Sequence, residues 1–386
     1  MKICFECSEY PPGPHGGIGS LVQIQARALA NAGHQVRVVG IYPGDYPAPD
    51  IEEDQGVRVW RLRLPPYRTG WLTARWRLFR LVKRWCEARD TELIEVPDYG
   101  APAAGWPGLP VPVVVRLSGS ASFFRNEMGG KPRRSAFLLE RASLRRGDYI
   151  CSESRYLAKR TRELFAREAG PDTVIYNPVE VPELLPDARR VPQYVMFAGT
   201  LTRKKGIISL VRSWPRVKEE SPAAELHIWG KDGQTDEGGS MEEFLRSIIP
   251  DDMAESVRFH GHVPLGELLE GFRTAGMAVL PSYAEGFALT PLHAMAAGCP
   301  TIYTTRGSGP ELIEHGRTGL LVDPDRPDQI AGSILSLLHD APLARRLGAE
   351  GRSHVERNFS REVILAQNEE FYRRCVGDFR KRGHHD

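Results

Sequence analysis

The chain has 386 residues, 41% of them apolar and 26% charged, with a formal net charge of +2. That length exceeds one ordinary hydrophobic core and makes two domains the expectation, with a composition typical of globular proteins. No apolar run reaches the roughly 18–20 residues that span a bilayer, and 28 Lys and Arg against 22 Asp and Glu in residues 1–190 is too small an excess to point to nucleic acid.

The chain opens on an apolar strand, residues 3–6, with no basic-then-apolar leader. Cys4 and Cys7 lie on that stretch without a second metal-ligand pair, so they read as strand packing. With the other four cysteines scattered, the expected compartment is the cytoplasm, with reduced thiols. A Gly/Pro-rich loop follows, from Glu9 and Tyr10 to Gly16, Gly17 and Gly19. Leu21, Ile24, Ala28 and Leu29 then recur at helical spacing, the helix stops at Gly33, and residues 35–40 form the next strand. The unit is strand–helix–strand with glycines at the C-terminal end of its first strand, where open α/β sheets bind ligands. The loop is neither Gly-x-Gly-x-x-Gly nor a Walker loop, so alone it is a weak signal.

Short apolar runs continue at 57–62, 93–96, 112–117, 149–151 and 173–176, with helical stretches between most of them. One helix, 70–89, carries Arg75, Arg77, Arg80, Lys83 and Arg84 beside Trp71, Trp76 and Trp85. A basic helix with tryptophans suits peripheral contact with an anionic membrane. The plainer reading, a surface helix whose aromatic face is core, is favoured by Leu78, Leu81 and Val82. A second basic cluster, from Lys131 to Arg146, fits either a membrane or an anionic acceptor. The run 113–117 contains Arg116 and ends at Ser118-Gly119-Ser120, a small polar strand end of the kind that faces a cleft.

Asn177, Pro178, Pro182, Pro186 and Pro192 mark a proline-rich joint. Strands then repeat at 194–198, 225–229, 257–260, 277–280, 301–303 and 320–322. The expected fold is α/β, two doubly wound Rossmann-like domains facing across a cleft. The loop after 194–198 runs Gly199-Thr200-Leu201-Thr202-Arg203-Lys204-Lys205-Gly206 and sets three cations before a helix, where they would offset a diphosphate. The stretch 277–298 reads strand, turn, helix, with Thr290 as a plausible N-cap, Pro291 in the first turn and Gly298 as the stop. Glu285 in that turn could accept hydrogen bonds from sugar hydroxyls, and the helix N-terminus attracts phosphate.

Tyr10-Pro11-Pro12 with Gly16-Gly17-Ile18-Gly19, the Lys205-Gly206 loop, Pro281-Ser282-x-x-Glu285-Gly286-Phe287 and Gly316-x-Thr318-Gly319-Leu320 together resemble the GT-B glycosyltransferases, and more closely their retaining family-4 group. The resemblance covers nearly the whole chain. It implies an acceptor-side domain, 1–185, a nucleotide-sugar domain, 186–360, and a terminal helix, 361–386, returning to the first. It implies no cofactor and no metal, because lysine, arginine and helix ends stabilise the leaving diphosphate. Lys205 matches the family's diphosphate-binding lysine and Lys204 stands beside it. Glu285 matches the first of a pair of glutamates and would hold the donor sugar. Backbone at Gly286, Phe287, Ala288 and Leu289 would touch sugar and phosphate, and Gly16 and Gly17 would approach the diphosphate.

Three positions depart from the pattern. His293 replaces the second, ribose-binding glutamate. Thr200 replaces an arginine, for which Arg203 could compensate. Ser118 stands about where a sugar-orienting histidine is usual. Tyr10, Arg116 and Ser118 are the candidates for orienting acceptor or sugar. The implied activity is retaining transfer from a nucleotide-diphosphate sugar to a saccharide, lipid-linked or small-molecule acceptor. A GT-B epimerase or phosphorylase, and a non-catalytic sugar-nucleotide-binding subunit, are the alternatives.

Overall fold

A computed structural model describes residues 1–166, 173–183 and 190–382. Pro186, the expected boundary at 185/186 and the tail after Arg382 lie outside them. Contacts divide the chain into two units. Unit 1 comprises Met1–Pro178 and Arg361–Asp386, and unit 2 comprises Val179–Ser360.

Unit 1 is built on an eight-stranded sheet: β1 (Lys2–Glu6), β2 (Gln35–Tyr42), β3 (Ile51–Asp54), β4 (Val57–Arg63), β5 (Leu93–Pro97), β6 (Val113–Leu117), β7 (Tyr149–Ser152) and β8 (Thr173–Val174). Their order is β3-β4-β2-β1-β5-β6-β7-β8, and every pair is parallel except β3 with β4. The inner strands are buried on both faces, which is why they read as unbroken Val/Ile/Leu runs. On one face, helix Gly17–Asn31 and the terminal helix Arg361–Arg382 bury Leu29, Phe371 and Tyr372 against Ile3, Phe5 and Val38. On the other, helix Gly70–Glu87 packs Leu78, Val82 and Trp85 against Ile94 and Val96, and helix Arg134–Arg146 adds Leu144.

Unit 2 repeats the plan with β9 (Val191–Ala198), β10 (Glu225–Trp229), β11 (Val257–Gly261), β12 (Ala275–Leu280), β13 (Thr301–Thr304) and β14 (Leu320–Val322). All pairs are parallel, in the order β11-β10-β9-β12-β13-β14. The order reverses between β9 and β12, the kind of switch point at whose C-terminal edge open α/β sheets bind ligands. In unit 1 the same reversal falls between β1 and β5. These are two parallel-sheet α/β domains of the doubly wound type. No helix among the described residues is long and apolar enough to cross a membrane.

Candidate active site

The two loops at the unit 2 reversal touch. After β9 the chain makes one turn of 3-10 helix, Arg203–Lys205, then Gly206 at φ +73° opens the helix Ile207–Glu220. A Cβ at Gly206 would stand 1.8 Å from the Pro281 carbonyl oxygen, so the glycine lets the lysine loop lie directly against the end of β12. The Tyr283 N–H donates to the Lys204 carbonyl at 2.7 Å and fixes the register of that contact.

The result joins residues 80 positions apart. The Lys205 ammonium donates to Glu285 Oε1 at 2.6 Å. Burial by itself would raise the Glu285 carboxyl, but Lys205 and Lys204 outweigh it and hold it below the usual carboxylate range. Lys204 is pulled down by its own burial, against the opposing pull of Glu285. A buried carboxylate and two ammonium groups therefore share one spot, with hydrogen-bond acceptors and positive charge side by side.

Helix Leu289–Ala296 begins beside them. Its cap is Ala288 in extended conformation, not Thr290, and no side chain caps the first turn. Thr290 and Pro291 both fall inside that turn, where the missing proline N–H costs nothing. Gly298, at φ +70°, ends the helix as expected. Gly286, Phe287 and Ala288 are buried, and Leu289 is half-buried. His293 is 9% exposed, and its Nδ1 has no hydrogen-bond partner among the described residues. Burial pushes the imidazole down to about 4, so it is neutral at physiological pH. An orphaned buried ring nitrogen is a group awaiting a partner, and a ribose hydroxyl would supply one. A His293→Ala variant is expected to raise the donor KM about tenfold with little change in kcat, read from steady-state kinetics.

Two further neighbours escaped the sequence. The Tyr303 hydroxyl is buried without a partner among the described residues, and its pKa is raised by burial and by the charge of Glu285. Tyr303 sits in an apolar strand and so reads as core. Ser308 Oγ is likewise buried, with no partner among the described residues. Its loop lies against the Glu285 backbone, for a Cβ at Gly307 would come 2.7 Å from the Glu285 carbonyl oxygen. Arg203 and Thr200 stand apart from this cluster in character. Arg203 pairs with Asp236 at 2.9 Å, both largely exposed, and Thr200 is exposed. Arg203, the residue expected to make good the cation missing at Thr200, thus pairs with Asp236 at the surface.

In unit 1, Gly16 and Gly17 are exposed at the start of helix Gly17–Asn31, and nothing lies within 4 Å of a Cβ built on Gly17. Tyr10 and Arg116 are corrected. Tyr10 is fully buried and its hydroxyl donates to Asp54 at 2.7 Å. Arg116 is buried in a fork with Glu95 (2.6 and 2.9 Å) and also donates to Asn368 at 2.7 Å. Both have their polar groups spent on the framework, which leaves no donor for an acceptor. Ser118 is half-buried. Its N–H donates to Asp98 at 2.9 Å and its hydroxyl donates to Glu153. Burial pushes both carboxyls up to about 7. Between about 4.5 and 7 the native state holds a Glu153 proton that the unfolded chain has lost, so this group's stabilisation fades as pH rises through that window. Thermal unfolding on either side of the window is expected to show a shallower pH slope for Glu153→Gln than for the parent.

The folds of both units and the paired charges at the reversal define the class, a glycosyltransferase of the GT-B fold. A model described as "Glycosyl transferases group 1" matches residues 187–354, and a "Glycosyl transferase 4-like domain" matches residues 16–178. The chain belongs to the group 1 glycosyltransferases. It is 27% identical to glycogen synthase of Mycobacterium tuberculosis over 398 residues, covering 96% of this chain and 94% of that protein. Among solved structures it resembles sucrose-phosphate synthase from Thermosynechococcus elongatus, with a TM-score of 0.81 at 24% identity over 97% of this chain and 99% of that one. It also resembles HepE from Anabaena, solved with UDP and glucose, with a TM-score of 0.72 at 16% identity over 96% of this chain and 99% of that one.

Proposed function

We propose that the protein moves a hexose from a nucleotide-diphosphate sugar to an acceptor hydroxyl, with retention at the anomeric carbon and without a metal. The observation that carries this reading is the Lys205–Glu285 pair at the strand reversal of unit 2. Glu285 would accept from sugar hydroxyls, His293 would meet the ribose, and the diphosphate would leave toward Lys204, Lys205 and the start of helix Leu289–Ala296. The bond from C1 to the phosphate oxygen breaks as the acceptor oxygen bonds C1 on the same face. The departing phosphate oxygen takes the acceptor proton, so no protein base is required. Acceptor recognition is assigned to unit 1. The uridine nucleotide bound by HepE supports a uridine donor among the candidates. Six free, buried cysteines fit a reducing compartment such as the cytoplasm.

The test is a thermal-shift panel of uridine, guanosine, adenosine and thymidine diphosphate sugars, since a tight binder raises the melting temperature by mass action. Proton NMR of the product made with the stabilising donor, with and without chelator, then reads stereochemistry and metal need. An inverted product, or isomerised sugar formed without acceptor, overturns the reading.

A further inference from the structure

Unit 1 has a crevice of its own. Where its strand order reverses, between β1 and β5, a cavity of about 280 Å³ is lined by Glu6, Ser8, Glu9, Arg75 and Tyr99 among others. Glu6 is 4% exposed and accepts from the Ser8 hydroxyl at 2.7 Å. Glu9 lines the cavity as well and accepts from the Gly19 N–H at 2.8 Å. Arg75 is held by the carbonyls of Gly100, Ala101 and Pro102. A floor of carboxylate oxygens fits a ligand rich in hydroxyl donors.

Arg75 also belongs to helix Gly70–Glu87, and its neighbours on that helix face outward. Trp71, Leu72 and Trp76 are 47%, 51% and 56% exposed, and Tyr67, just before the helix, is 51% exposed. The helix is not loosely seated, because Ala74, Leu78, Val82 and Trp85 are buried against the sheet. Trp76 shares its outer face with Arg77, Arg80 and Arg84, all within about 100° of it around the helix axis, whereas Trp71 is exposed at the helix start. No carboxylate among the described residues pairs with these three, and Arg80 lies over the Trp76 ring at 4.6 Å. On the same sheet face, helix Arg134–Arg146 exposes Leu138 and Leu139, with Arg133 and Arg134 at its start. Large apolar rings left in water beside unpaired cations of one sign form a surface complementary to anionic headgroups over an apolar layer.

We propose that the outer face of helix Gly70–Glu87 rests on an anionic lipid bilayer, and that the adjoining cavity takes the hydroxylated head of a lipid-linked acceptor. This rests on the glycosyl-transfer reading for its second half only. The first half is tested by sedimenting the full chain with vesicles of phosphatidylcholine, with and without phosphatidylglycerol. The parent should pellet with the anionic vesicles alone, and added salt should release it. Trp71→Ser with Trp76→Ser, and Arg77→Glu with Arg80→Glu and Arg84→Glu, should each weaken pelleting by roughly tenfold or more. Both variants should keep the parental urea unfolding midpoint of unit 1, which certifies the fold around the altered helix. No pelleting, equal pelleting with neutral vesicles, or full pelleting of either variant overturns the bilayer assignment. For the second half, labelled nucleotide sugars are incubated with vesicles of a total lipid extract. Label in the organic phase, cut about tenfold by Glu6→Gln, supports a lipid-linked acceptor, and label only in soluble glycan overturns it. Label in no product at all overturns glycosyl transfer itself, and leaves the vesicle result standing.

Discussion

Replacing Lys205 or Glu285 with alanine is expected to lower turnover by roughly tenfold to a thousandfold, as removal of a preorganised charge from a transition state does. The two losses should differ in kind. Without Lys205, the negative charge growing on the leaving diphosphate has one cation fewer, and Lys204 is left alone beside Glu285. The effect falls on kcat and kcat/KM together, because the charge is largest in the transition state. Without Glu285, the sugar loses hydroxyl acceptors that act in the ground state as well, so the donor KM should rise too. Each variant also leaves its partner's charge without the 2.6 Å contact, and thermal unfolding should accompany the kinetics to show that both remain folded. Near-parental turnover in both variants would remove the pair from the mechanism.

The second large effect is one of stability. Arg116→Ala strips the partner from a Glu95 that is 3% exposed and whose other contacts are the Tyr372 hydroxyl and the core. Removing one member of a buried ion pair costs about 3–5 kcal/mol, because the remaining charge stays desolvated. Urea unfolding of unit 1 should register that loss. Arg116→Met combined with Glu95→Leu should recover much of it, since an apolar pair of similar volume removes the stranded charge. The nucleotide-sugar thermal shift, which the proposed function assigns to unit 2, should still be observed with the single variant. A normal unfolding midpoint with a raised acceptor KM would return Arg116 to the acceptor site.

Much of this architecture is written in the sequence, because parallel strands covered on both faces must be apolar throughout and their C-terminal loops must be glycine-rich or polar. The strand ends at Gly199 and Pro281 are legible in that way. What periodicity does not carry is which loops meet. That Lys205 and Glu285 belong together came only from the ordered set of motifs and their resemblance to a family. The edge strand β3 went unread because Ile51-Glu52-Glu53-Asp54 has a polar face on both sides, and its Ile51 is exposed. Tyr10 and Arg116 were misread for a different reason. A polar residue at a strand end looks the same whether it faces a ligand or a distant partner, and the partners here, Asp54, Asn368 and Tyr372, lie dozens to hundreds of residues away. Tyr303 was hidden by the opposite ambiguity, a tyrosine in an apolar run that ends beside the charge cluster.

The terminal helix Arg361–Arg382 supplies Phe371, Tyr372, Cys375 and Val376 to the core of unit 1, while unit 2 is an uninterrupted span between the two pieces. During synthesis, unit 1 therefore cannot close its interior until helix Arg361–Arg382 emerges, whereas the sequence of unit 2 is complete before that helix begins. Translation order and folding order are inverted. A chain stalled once unit 2 has emerged but helix Arg361–Arg382 has not would carry a complete unit 2 tethered to an N-terminal unit that still exposes the apolar face this helix covers.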